Sequence, residues 1–208
     1  MKLKKKPKII LFSIIAILVI ALVTVVVITL LPEKQPEVKE VKVLKSIAAY
    51  EYDLKDNKNK TYKKMFKELE DILRADEVSD EEYVKQIAKM YIYDFYSLAD
   101  KTAKTDVGGV DFVHPNALAN FLVNAEDTYY KYVESNLYGE RDQKLPMVDK
   151  VTIESATPTE YAYNNEKLAG YEVKVTWTYT DETYSSYQTS ATLTFVKEDI
   201  KFYLVELS

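Results

Sequence analysis

The side chains that could do chemistry in this chain are few, and their types narrow the chemistry at once. Cysteine is absent, and His114 is the single histidine in 208 residues. That removes disulfides, thiolate metal sites and cysteine nucleophiles, and it argues against a histidine-based metal cluster or a Ser-His-Asp triad. Acid–base work by carboxylates stays open. Asp94 stands between Tyr93 and Phe95, Asp106 and Asp111 flank the pair Gly108-Gly109, and His114 precedes Pro115. Asp94 on an aromatic helix could be partly buried against a tyrosine hydroxyl, and burial would shift its pKa. Each residue also has an ordinary structural reading, which is the favoured one. Asp94 would lie on the polar edge of its helix, Asp106 and Asp111 would cap turns, and His114 would mark a helix entry. Asp94, Asp111 and Tyr91 therefore form only a tentative pocket, and no metal or cofactor is expected.

The elements that must position these residues are legible from periodicity. Thr61 can cap a first helix, in which Tyr62, Met65, Phe66, Leu69, Ile72 and Leu73 share one apolar face. Ser79 followed by Glu82 is a capping box, opening a second helix to about Ala99 with Tyr83, Ile87, Tyr91, Phe95 and Leu98 as a wide stripe. A third helix is expected from Pro115 or Asn116 to about Leu137, ended by Gly139. Between them the glycine pair permits positive φ, and Val110 to Val113 reads as a short strand. From Met147 onward the period falls from 3.6 to 2. Tyr171, Val173, Val175, Trp177 and Tyr179 share one face, as do Ala191, Leu193 and Phe195, and a turn at Lys197 to Asp199 leads into Ile200 to Leu207. One-sided strands of this kind belong to an antiparallel sheet with one face covered.

Ahead of this domain lies the most decisive stretch. Ile9 to Leu31 runs 23 residues without a charge, long enough as a helix to span a bilayer core of about 30 Å. It is longer than a signal-peptide core and ends in Thr29-Leu30-Leu31-Pro32, without a small-residue cleavage site, so an uncleaved membrane anchor is expected. Residues 1–8 carry five lysines and form a basic cap expected to stay in the cytoplasm, which places the rest outside. The expected organisation is cap 1–8, transmembrane helix 9–31, linker or stalk 32–60, and an extracytoplasmic domain over 61–208. Within the stalk, Pro32 to Glu40 reads as a semi-rigid spacer and Val41 to Leu54 suits strand or helix equally. Asn59-Lys60-Thr61 fits a glycosylation sequon, a triplet that arises often by chance.

With five of the 28 basic side chains in the cap, the remaining chain carries 23 against 33 acidic ones. An acidic domain lacks the clustered cations that nucleic-acid binding needs. The 18 tyrosines point elsewhere. Tyr129-Tyr130 and the run Tyr184 to Tyr187 cannot all face one small core, and Tyr130, Tyr184 and Tyr187 are expected to form a partner surface.

Helices first and a meandering sheet after them is an α+β order. Over about Thr61 to Leu207 it resembles the cone-shaped fold of nuclear transport factor 2 and ketosteroid isomerase, with Val110–Val113 where that fold often carries a small first strand. With a single N-terminal anchor, it is also similar to the extracytoplasmic assembly component of type IV secretion and Gram-positive conjugation machines. The resemblance implies a curved sheet with helices on one face. It also implies either a non-catalytic assembly role alongside envelope proteins or copies of itself, or a small-molecule-binding or isomerase-like cone with Asp94 or Asp111 as base.

Overall fold

Few glycines and prolines interrupt the chain after Glu40, and long regular elements result. The computed structural model describes residues 40–163 and 166–208. The expected anchor at Ile9–Leu31, the basic cap and most of the spacer lie outside the described residues. Among the described residues, no helix is long and apolar enough to cross a membrane.

The stretch that reads equally as strand or helix, within the expected stalk, is a β-hairpin. Its strands are β1 (Val43–Ile47) and β2 (Tyr52–Lys55), paired antiparallel around a turn in which Glu51 takes φ +54°. Ile47, Tyr52 and Leu54 are buried in the domain core, so the hairpin packs as part of the domain. Its alternation of inward apolar and outward polar residues is strand-like only over Tyr52–Lys55, too short to decide the matter in sequence.

The first helix, α1 (Lys60–Leu73), is capped by Asn59, whose side chain accepts the Tyr62 N–H at 2.9 Å, and not by Thr61. Asparagine is the stronger capping residue, and it starts the helix two residues earlier. Tyr62, Phe66, Leu69 and Leu73 are the buried face. In α2 (Asp80–Tyr96), Ser79 Oγ accepts the Glu82 N–H at 3.3 Å, and Asp80, Glu81 and Glu82 place negative charge at the positive end of the helix dipole. Twelve of its 17 residues are buried. The reason is its position. Tyr83 meets Tyr52 of the hairpin hydroxyl to hydroxyl at 2.8 Å and also stacks edge-on to Phe202, while Tyr96 packs 4.4 Å from Trp177.

Helix α3 (Pro115–Asp127) ends well before Leu137. The apolar spacing beyond it is met by a turn, in which the Tyr130 N–H returns to Ala125 and the Val133 N–H to Tyr130, both at 2.9 Å. Tyr130 and Val133 are thereby buried without a helix. Gly139, with φ +76°, belongs to a later turn closed on Asn136. The expected strand at Val110–Val113 is instead a 3₁₀ turn over Val110–Phe112, followed by a single parallel bridge from Val113 to Leu204. Glycine at 109 starts that turn in a left-handed conformation, which a strand would not accommodate.

Four strands complete the fold: β3 (Val148–Tyr163), β4 (Glu166–Tyr179), β5 (Ser190–Glu198) and β6 (Lys201–Leu207). They pair in sequence order and antiparallel throughout. Val173, Val175 and Trp177 of β4, Leu193 and Phe195 of β5, and Phe202 and Leu204 of β6 are buried. The described residues thus form an α+β unit with three helices packed on a four-stranded antiparallel sheet.

Candidate functional site

Because α2 is surrounded on nearly every side, Asp94 has no polar edge to occupy. It is buried, and each carboxylate oxygen is bonded twice. Lys58 reaches Oδ1 at 2.6 Å and Oδ2 at 2.7 Å, Lys101 reaches Oδ1 at 2.8 Å, and the Gly109 N–H reaches Oδ2 at 2.9 Å. Burial pushes this carboxyl up, and Lys101 and Lys58 together outweigh it, holding Asp94 well below the usual carboxylate range. The tyrosine hydroxyl expected beside it is replaced by two ammonium groups. An always-ionised carboxylate with every lone pair engaged is a structural anion and a poor base.

The glycine pair is what lets this contact form. A Cβ at Gly108 would lie 2.2 Å from the Asp94 carbonyl oxygen and 2.7 Å from Lys101 Nζ, and one at Gly109 would lie 2.6 Å from the Tyr91 ring. Tyr91 thus packs directly beneath the glycine turn. It is fully buried, its hydroxyl has no hydrogen-bond partner, and burial raises its pKa. Tyr130 clamps the same turn from the other side, donating its hydroxyl to the Phe95 carbonyl at 2.6 Å and accepting the Gly108 N–H at 3.0 Å. It is 0% exposed, so it cannot belong to a partner surface. A tyrosine doublet puts its two side chains about 100° apart on a helix and further apart in a turn, and one of the two went inward.

Asp106 caps a turn as its position suggests, accepting the Thr102 N–H at 2.9 Å. Asp111 is half-buried beside Tyr52, Tyr62 and Phe112, in a crevice with no room for a water molecule. Burial pushes its carboxyl up, opposed by Lys55 and Lys58. Nearby, Lys201 lies 4.6 Å over the Tyr52 ring and 5.0 Å over Tyr203, and burial lowers its pKa against the pull of Glu51 and Asp111. Lys58, Lys101 and Lys201 carry this electrostatics. None stood out in the sequence, because an isolated lysine in a polar turn has no spacing that marks it as buried.

His114 is the N-cap of α3. Its Nδ1 accepts the Asn116 N–H at 3.2 Å, which assigns the ring proton to Nε2, facing Glu198 Oε1 at 2.9 Å. The same histidine borders a pocket of about 260 Å³, with Asn116, Ala117 and Asn120 of α3 on one side and Tyr161, Leu168 and Val205 on the other.

The remaining candidate residues gather at the surface. Tyr187 is 53% exposed and Tyr184 is half-buried, their rings 5.3 Å apart and edge-on. Both rings approach Tyr179, whose hydroxyl donates to the Gln188 carbonyl at 2.9 Å, while the exposed Tyr129 donates to the Gln188 side chain. Tyr129 also stacks edge-on against Tyr96, which packs on Trp177. The aromatic surface is therefore braced by the aromatic core. Comparison with known protein families, characterised proteins and solved structures returns no match for this chain.

Proposed function

We propose that this chain is a single-pass membrane protein whose extracytoplasmic domain is a non-catalytic interaction module, assembling with other proteins of the cell envelope. The observation that carries this reading is the partly exposed tyrosine surface formed by the Tyr184–Tyr187 pair and by Tyr129, which bonds the neighbouring Gln188 and is packed from beneath on Tyr96. Rigid aromatic side chains with polar tips give contact area at low entropic cost, which is why tyrosine is enriched in protein interfaces. The engagement of Asp94 by two lysines supports the reading, since it removes the best-placed carboxylate from acid–base work. The uncharged run Ile9–Leu31 would hold the domain at the membrane, with the lysine cap on the cytoplasmic side. On the finer question of fold family, three helices on one antiparallel sheet is the arrangement that a nuclear-transport-factor-2-like cone requires, and that likeness is part of the proposal.

Site-specific photo-cross-linking in intact cells tests it. A photoreactive residue replacing Tyr187 in the full-length protein is expected to trap a defined protein neighbour, and one replacing the exposed Glu160 is not. If Tyr187 yields no adduct beyond that control, the interaction reading fails.

A small-molecule-binding cone is the second reading, and the 260 Å³ pocket beside His114 is the observation that favours it. A ligand found by thermal-shift screening should lose its stabilising effect when Asn120→Trp fills the pocket. Ligand effects that survive the filling would remove this reading.

A further inference from the structure

Among the described residues, β3 pairs with β4 along one side and with no strand along the other. Such an edge offers a row of free backbone donors and acceptors, and natural proteins usually blunt it. Pro158 does so toward the far end of β3, but neither proline nor bulge interrupts Lys150 to Ile153. That segment borders an open groove of about 580 Å³, whose opposite wall is Glu81, Lys85 and Lys89 of α2. Val151 and Ile153 point toward the core side and are only partly covered, while Lys150, Thr152 and Glu154 are exposed.

We propose that this edge pairs with the same edge of a second copy, antiparallel, about a two-fold axis at Thr152. The sequence is self-complementary in that register. Thr152 falls opposite Thr152, Val151 opposite Ile153, and Lys150 opposite Glu154 on both sides of the axis, and each combination is a favourable cross-strand pair. The neighbouring registers are worse. An axis at Val151 opposes Asp149 to Ile153, an axis at Ile153 opposes Val151 to Ser155, and any axis between residues sets the two apolar faces on opposite sides of the joined sheet.

The surroundings fit the pairing. Glu154 is already oriented along the outer face by the Thr176 hydroxyl at 2.8 Å, and among the described residues Lys150 has no ion-pair partner. Across the groove, Lys85 is neutralised by Glu81 at 2.5 Å and Glu82 at 3.0 Å, leaving its aliphatic stem to cover the incoming Val151 and Ile153. Bulges at Val148/Lys150 and Ile153/Ser155 leave Lys150 to Ile153 as the regular ladder, with Glu154 at its end. The contact is therefore short and closed by its own symmetry, giving a dimer and no open chain of strands. It uses a different face from the tyrosines and stands independently of the interaction reading above.

The absence of cysteine makes the test clean. In the full-length protein in membranes, Thr152→Cys cannot form a disulfide within its own chain, and residues opposite one another in an antiparallel ladder are about 4.5–5.5 Å apart at Cα, within disulfide reach. Mild oxidation should yield at least about tenfold more covalent dimer from Thr152→Cys than from the exposed control Thr157→Cys. Equal yields, or none, overturn the proposal. In detergent solution, Lys150→Glu should weaken the dimer about tenfold by opposing like charges, and adding Glu154→Lys should restore it. A dimer indifferent to Lys150→Glu, or a double variant that stays monomeric with native Trp177 fluorescence, also overturns it. Adducts trapped at Tyr187 report the tyrosine face alone, so the two readings fail separately.

Discussion

At the scale of single residues, two carboxylates 17 residues apart, Asp94 and Asp111, have opposite electrostatic fates. Asp94 is stabilised as an anion by Lys58 and Lys101, and removing it would leave the buried Lys101 and the partly buried Lys58 without their partner. Asp94→Asn should therefore cost about 3–5 kcal/mol, read by denaturant unfolding through the single, buried Trp177. Its folded pKa is depressed, so its contribution is fully present above the unfolded value of about 3.9 and is lost as pH falls through the folded value. Asp111 has the reverse sign. Its folded pKa is raised by burial, so ionising it opposes folding, and that penalty is relieved as pH falls from neutral toward about 4. Asp111→Asn should be neutral or stabilising at neutral pH, by about 1 kcal/mol at most, since the group is only half-buried. It should also flatten the stability profile between pH 4 and 7 in part, because the raised carboxyl of Asp100 titrates with the same sign. A destabilisation comparable to that of Asp94→Asn would contradict the assignment.

At the scale of elements, the turn at Gly108-Gly109 joins α2, Tyr130 and the lysine pair, and its tolerance to change should be low. Gly109→Ala meets both a left-handed φ of +74° and a Cβ contact of 2.6 Å with Tyr91, so a loss of about 1–3 kcal/mol is expected on unfolding. Tyr130→Phe keeps the ring but strands the buried Gly108 N–H, again at about 1–3 kcal/mol. If Tyr130→Phe were neutral while Tyr130→Ala was not, the hydroxyl would have no role and the ring alone would hold the turn. The same elements show why the expected strand at Val110–Val113 is absent. A turn that must present an amide to a buried carboxylate cannot also run extended.

At the scale of the whole molecule, the orientation across the membrane is open to a direct check. A single cysteine at Thr157 in intact cells should react with a membrane-impermeant maleimide, and protection until lysis would reverse the proposed orientation. Much of the domain was legible in its sequence. Periods of 3.6 and then 2 locate the faces of α1 and α2 and the inward rows of β4 and β5, because burial selects apolar side chains at whichever spacing the backbone repeats. The absence of cysteine likewise bounds the chemistry without any coordinates, and the 23-residue uncharged run Ile9–Leu31 is the basis of the proposed anchoring. Tertiary structure decided the rest. Whether Asp94 met water or two lysines depended on α2 being enclosed on nearly every side, and whether Tyr130 or Tyr129 faced outward depended on where α3 stopped. Both lysines and the tyrosine doublet look like surface residues in a linear chain. Their partners lie 7 to 59 residues away, and side chains that distant become neighbours only when the elements pack.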